Sequence, residues 1–237
     1  MSVQSLTTPT PARIVTVRQN ILKKNDLQAH DLRRTFAERG VLVVNLVSSP
    51  GAGKTTLLRE TLRRLGQEYR VAALVGDLAT DNDAQLLAQS GAPAIQIVTG
   101  TVCHLDAEMI ERKLPEVPQD LDFLFIENVG NLVCPSSYDL GEDLRAVLFS
   151  TTEGEDKPAK YPTIVNSADL ALITKMDLAP HVDFDLERMS GYLRDARPDI
   201  GILTVSTRAG EGLEPWLDLL RQRLELKRAV QGQPQPV

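Results

Sequence analysis

The run Ser48-Ser49-Pro50-Gly51-Ala52-Gly53-Lys54-Thr55-Thr56 has the composition of a loop that wraps phosphate. Gly51 and Gly53 let backbone amides turn inward, and a helix starting just after them presents its positive end to an anion. Lys54 can bridge β- and γ-phosphates, and the Thr55 hydroxyl can ligate magnesium. Pro50, Ala52 and Thr56 complete the lining, while Ser48 stands where the usual pattern has its first glycine. A glycine-rich turn that only caps a helix is the competing explanation. Gly-x-Gly-Lys-Thr placed directly after the apolar run at 41–47 selects phosphate binding instead, and predicts a nucleoside triphosphate site.

A second group of residues speaks to the base. The apolar run at 170–173 ends in Thr174-Lys175-Met176-Asp177, which resembles the guanine-specificity motif Asn/Thr-Lys-x-Asp of GTPases. Asp177 could accept from the N1 and N2 donors of guanine, a pair adenine does not offer, and the Lys175 stem could cover the ring. Ser206 and Thr207, at the end of the run at 202–205, resemble the loop that backs the base. GTP is therefore expected over ATP. Two acidic run ends supply the rest: Asp77 after 71–75 and Glu127 after 121–126. Both are assigned to magnesium or its waters, and Gly130 to sensing the γ-phosphate. Asp81 fits a ligand or a helix cap equally well. No glutamine follows Gly130 to orient water, so intrinsic hydrolysis should be slow.

A third constellation is Cys103-His104 and Cys134. Two thiolates and an imidazole suit zinc or nickel. A cysteine alone is more often a small buried residue, and His104 could simply open a helix. Both cysteines of the chain, however, fall at the ends of apolar runs, and Cys134 follows Gly130 closely. A fourth ligand would come from water or a second subunit. Movement of Gly130 with nucleotide state would then move Cys134 relative to Cys103 and His104.

These residues need a scaffold that gathers run ends at one edge. Short apolar runs at 41–47, 71–75, 94–98, 121–126, 170–173 and 202–205 alternate with helical patterns at 55–65, 83–90, 104–114, 184–196 and 213–228. That alternation predicts an α/β fold, a mostly parallel sheet with helices on both faces, of the P-loop NTPase kind. Ligands then bind at the carboxyl edge of the sheet. Apolar residues at Val17, Ile21, Leu22, Leu27, Leu32 and Phe36 predict one or two short amphipathic helices before the domain. The expected organisation is 1–40 as a flexible start and helical extension, 41–226 as the GTPase domain and 227–237 as a disordered tail.

Composition removes several classes. The chain has 237 residues, 42% of them hydrophobic and 24% charged, an ordinary globular balance. Its net charge of −6 argues against a nucleic-acid binder, and five Phe, four Tyr and one Trp are too few for a base-stacking platform. No apolar run reaches transmembrane length and the opening lacks a secretory pattern, so the expectation is a cytoplasmic protein without a membrane partner. Two cysteines cannot build a disulfide framework.

Taken together, the phosphate loop, Gly76-Asp77 through Asp83, Gly100-Thr101-Val102-Cys103-His104-Leu105, Glu127 through Pro135 and Thr152-Glu153-Gly154-Glu155-Asp156-Lys157-Pro158 resemble the hydrogenase nickel-incorporation GTPases, the HypB family. The resemblance spans about 42–226. It implies a GTPase of the SIMIBI class, shared with signal-recognition and partitioning NTPases, that dimerises around nucleotide or metal. It further implies Mg2+ and GTP as cofactors, Ni2+ or Zn2+ on Cys103, His104 and Cys134, and partnership with the nickel chaperone HypA and the hydrogenase large-subunit precursor. Some members carry an N-terminal Cys-rich motif or a His-rich stretch. Here no cysteine precedes Cys103 and only His30 precedes His104, so tight N-terminal nickel capture is not expected and His30 reads as a solvated helix residue. The alternatives are a metal-binding scaffold with a structural nucleotide, a GTPase chaperone for another metalloenzyme such as urease, and an ATP-dependent kinase.

Overall fold

The computed structural model describes residues 11–77 and 82–231; Asp81 and the two chain ends, 1–10 and 232–237, lie outside the described residues. Among those described, seven strands are formed: β1 (Leu42–Ser48), β2 (Val71–Asp77), β3 (Ala94–Val98), β4 (Phe123–Glu127), β5 (Leu144–Ser150), β6 (Leu170–Thr174) and β7 (Gly201–Val205). They make one sheet in the order β3-β2-β4-β1-β5-β6-β7, and every neighbouring pair is parallel. The helices are α1 (Pro11–Glu38), α2 (Lys54–Leu65), α3 (Asn82–Ala88), α4 (Ala107–Lys113), α5 (Lys157–Lys160), α6 (Pro162–Ser167), α7 (Leu186–Ala196) and α8 (Leu213–Gln231).

Burial on both faces explains why the strands read as continuous apolar runs. Val44, Leu46, Val75 and Phe125 point to the face covered by α2, α3 and α8, where Leu57, Leu62, Leu87, Trp216 and Leu220 complete one core. Val43, Leu74, Leu124 and Ile126 point the other way, onto Ala29, Leu32 and Phe36 of α1 and Ile110 of α4. Val147, Phe149 and Ile173 continue that face under α6 and α7. On the first face, the Trp216 Nε1–H donates to Thr61 Oγ1 of α2 at 2.9 Å, so its one polar atom is satisfied inside the core.

The fold class is the expected one, with four local corrections. Strand β5 is absent from the runs recognised in the sequence because Arg145 interrupts its apolar pattern. In the fold Arg145 is buried and paired with Glu142 at 2.6 Å. The extension before the domain is one long helix of 28 residues, α1, where one or two short ones were expected. Its buried stripe runs through Asn25, Ala29, Leu32 and Phe36, leaving Ile21 and Leu27 exposed. Helix α4 begins at Ala107, not at 104, because the Asp106 side chain accepts from Met109 N and caps it there. Finally, α8 continues past 226 to Gln231, where a disordered tail was expected. Two cations hold it: Lys227 donates to Val41 O and Asp143 at 2.6 Å, and Arg228 donates to Asp122 at 2.5 Å.

Lys227 is largely buried, so its hydrogen bonds are charge-assisted and partly desolvated. Replacing it by alanine should lower stability by about 1–3 kcal/mol. Urea unfolding measures this, and an unchanged midpoint would return the last turn of α8 to a loose tail.

Candidate functional site: a nucleotide cleft beside a thiolate-imidazole cluster

Parallel pairing brings the strand ends Ser48, Asp77, Glu127, Thr174 and Val205 to one edge of the sheet. The loop leaving β1 needs left-handed backbone at Gly51, φ 77°, and at Gly53, φ 97°, the residue that caps α2. A Cβ at either position would meet no neighbouring atom, so the requirement is conformational and not steric. Lys54 is buried at the start of α2, its Nζ donating to Ser48 Oγ at 2.9 Å. Ser48, which replaces the usual glycine, therefore steadies the lysine. Burial pulls the Lys54 pKa down, opposed by the carboxylates of Glu127, Asp83 and Glu153.

Thr55 Oγ1 donates to Glu127 Oε1 at 2.6 Å. Glu127 is 2% exposed and its Oε2 is buried without a hydrogen-bond partner. An unpaired carboxylate oxygen in such a place is costly unless a cation meets it. A hydroxyl and an orphaned carboxylate oxygen fit magnesium, a hard ion that takes oxygen ligands. Pro50, Gly51, Gly53, Lys54, Thr55, Thr56, Asp77, Glu127, Gly130 and Lys175, joined by Asp83, line one cavity of about 650 Å³. Asp83 was not singled out as a site residue in the sequence. Its position in the first turn of a helix gives it an ordinary role at the positive helix end, which masked the carboxylate's place in the cleft.

A neighbouring cavity of about 320 Å³ is lined by Gly53, Thr56, Thr174, Lys175, Asp177, Leu178, Thr207 and Arg208. It shares Gly53, Thr56 and Lys175 with the first. Asp177 is held by Ser206, whose Oγ donates to Asp177 Oδ1 at 2.6 Å and accepts from Ala209 N at 3.1 Å. Thr174 does not face outward alone: its Oγ1 donates to Ala52 O of the phosphate loop at 2.6 Å. Lys175 is the one non-glycine residue with positive φ, 60°, among those described. Its carbonyl accepts from Thr151 Oγ1 at 3.0 Å, which fixes where its stem departs.

Gly130 packs on the phosphate loop so closely that a Cβ there would lie 3.1 Å from Pro50 Cα. The next residue, Asn131, donates through Nδ2 to Cys103 O at 3.2 Å. Cys103, His104 and Cys134 place one ligand atom each within 4.8 Å of one another, with the two Sγ atoms 2.9 Å apart. His104 Nδ1 is buried without a hydrogen-bond partner, and burial lowers the pKa of the ring, favouring its neutral, ligating form. Soft thiolates with a neutral imidazole fit nickel or zinc. His30, by contrast, is an exposed residue of α1, as its sequence context suggested. Among the described residues no helix is long and apolar enough to cross a membrane.

The chain resembles known proteins in sequence and in fold. Residues 42–204 match the family model described as CobW/HypB/UreG, nucleotide-binding domain. Hydrogenase maturation factor HypB of Azotobacter chroococcum is 49% identical over 215 residues, covering 90% of this chain and 70% of that protein. HypB from Archaeoglobus fulgidus superposes with a TM-score of 0.80 at 40% identity, over 85% of this chain and 99% of that one. HypB from Helicobacter pylori, solved in complex with nickel, superposes with a TM-score of 0.81 at 37% identity, over 90% and 100%.

Glu127 gives a direct test of the cleft's electrostatics. Burial pushes its carboxyl from 4.5 up to about 7, helped by the Asp83 and Asp77 charges and opposed by Lys54 and the Thr55 hydroxyl. Between those values the folded chain keeps a proton that the unfolded chain releases, so this group's contribution to stability falls as pH rises through that window. Without nucleotide, Glu127→Gln should therefore melt several degrees above the native chain at pH 8 and close to it at pH 5. Thermal unfolding at the two pH values measures this, and equal melting temperatures at pH 8 would remove the buried charge.

Proposed function

The chain belongs to the HypB family of hydrogenase maturation factors, and from that premise we propose that it is a slow GTPase that binds nickel and delivers it during maturation of nickel–iron hydrogenase. The observation that carries this is the sharing of one loop by two sites. After β4, a single segment holds Glu127 in the cleft, sets Gly130 against Pro50, ties Asn131 to Cys103 and ends at Cys134.

Each residue has a chemical task in this reading. The loop amides, Gly51 to Thr56, wrap the phosphates, and Lys54 spans the β- and γ-phosphate oxygens. Thr55 and Glu127, with Asp77 nearby, would hold magnesium, which supplies positive charge against that building on the transferred phosphoryl oxygens. Gly130 reports the γ-phosphate through its amide, and loss of that contact frees the loop on hydrolysis. Thr174, Lys175 and Asp177, with Ser206 and Thr207 behind them, select guanine. With no glutamine after Gly130, turnover is slow and responsive to a partner.

Nickel, or zinc in its place, is cargo on Cys103, His104 and Cys134. Three ligands leave a position open, which a second copy of the chain, HypA or the hydrogenase large-subunit precursor can fill during transfer. The homodimer of this reading forms in response to nucleotide or metal, in the cytoplasm, with no part played by nucleic acid.

The deciding experiment is the nickel dissociation constant with GDP and with a non-hydrolysable GTP analogue, with oligomeric state recorded in the same samples. A difference of at least about tenfold, about 1.4 kcal/mol of coupling, is expected; equal constants would leave the two sites independent and favour a scaffold with a structural nucleotide. Asp177→Asn should abolish most of the preference for GTP over ATP in competition binding, whereas an unchanged preference would move guanine recognition elsewhere. Lys54→Ala should lose triphosphate binding while its circular dichroism spectrum stays native, and native GTP affinity in that variant would overturn the phosphate loop's role.

A further inference from the structure

A metal-binding histidine is normally oriented by a hydrogen bond from its second ring nitrogen to a carboxylate, a carbonyl or water. Whichever ring nitrogen of His104 meets the metal, the other has no hydrogen-bond partner among the described residues, and Nδ1 is buried. The torsion that turns an imidazole about its own axis is broad, so something else must set the ring. Tyr138 lies against it, stacked with ring centroids 3.9 Å apart and planes inclined by 26°.

Tyr138 closes the 3-10 turn that runs over Cys134–Ser137, so one short turn carries a thiolate at its start and the stacking ring just past its end. The position of that ring is fixed from below. Tyr138 N donates to Pro135 O at 3.3 Å, and Tyr138 O accepts from Arg145 Nη2 at 2.6 Å. Arg145 is buried in β5 and paired with Glu142 at 2.6 Å. Glu142 also accepts from Leu140 N at 2.7 Å and from Asn45 Nδ2 at 3.0 Å. Asn45 belongs to β1, the strand that becomes the phosphate loop. A buried ion pair is a poor way to stabilise a core, since apolar residues of similar volume do as well. Here it fixes a carbonyl, and through it an aromatic ring.

We propose that Tyr138 is a positioning residue for the metal ligand His104, its ring set by Arg145 and Glu142 so that the imidazole meets nickel together with Cys103 and Cys134. This rests on those three residues binding nickel. The stacking face is the acting group.

The test is nickel titration of the full chain, following the thiolate-to-nickel charge-transfer absorption, for Tyr138→Ala, Tyr138→Phe and Cys134→Ala. Tyr138→Ala should bind nickel about tenfold or more weakly, as loss of an outer-shell partner does, with a shifted charge-transfer band, while GDP affinity stays native. Tyr138→Phe should restore both affinity and band. Native nickel binding by Tyr138→Ala, or equal loss in Tyr138→Phe, overturns the stacking role. If Cys134→Ala itself binds as the native chain does, the nickel site fails first, and the two failures are distinct. Should Tyr138→Ala lose GDP binding, Tyr138→Leu fills the space without an aromatic face and carries the same expectation.

Discussion

A carboxylate that cannot be satisfied by the protein alone organises this molecule. Glu127 ends β4, the strand beside β1, with one oxygen bound by Thr55 and the other buried and unpaired. No arginine or lysine among the described residues forms an ion pair with it. The fold holds this group in place because the parallel ladder fixes the β4 end against β1, in register from Leu42 with Phe123 to Leu46 with Glu127. The cost is local and lies where a bound cation would offset it.

Much of the site is readable from residue types because phosphate, base and soft-metal chemistry each demand particular side chains at strand ends. Gly51, Gly53, Lys54 and Thr55 converge as their spacing requires. Cys134 meets the distant pair Cys103-His104 because β3 and β4 both deliver their loops to the same edge. The missed features depend on tertiary partners that spacing does not encode. Arg145 looks like a break in an apolar pattern until Glu142 is beside it. Lys227 looks like the start of a polar tail until Asp143 and Val41 O lie within reach. His104 sits in a helical pattern, yet Asp106 captures the helix start and leaves it in a loop. Asp83 closes a quoted motif without a role of its own there and Tyr138 lies outside every motif, so only the assembled cleft and the stacked rings reveal them.

Two kinds of restraint meet in the loop after β4. At its start the sheet and the phosphate loop hold Glu127 and Gly130; at its end a short turn holds Cys134 beside Cys103. Between them Asn131 is bonded to both sides, donating to Cys103 O and accepting from Val133 N at 2.8 Å. A displacement at Gly130 thus has few ways to dissipate before reaching a thiolate. Elsewhere on the same edge the ties are direct: Thr174 bonds to Ala52 O, and Ser206 to Asp177.

The single tryptophan of the chain lies fully buried with its indole N–H on Thr61 of α2, the helix that begins at Lys54. The indole is therefore a natural optical probe attached to the body of the nucleotide-binding helix and shielded from solvent quenching. Its emission tracks α2 relative to α8 with no label and no competing tryptophan. A nucleotide that remodels only the loop after β4 leaves that signal unchanged, and one that shifts the helix itself changes it. The chain carries its own means of separating loop motion from helix motion.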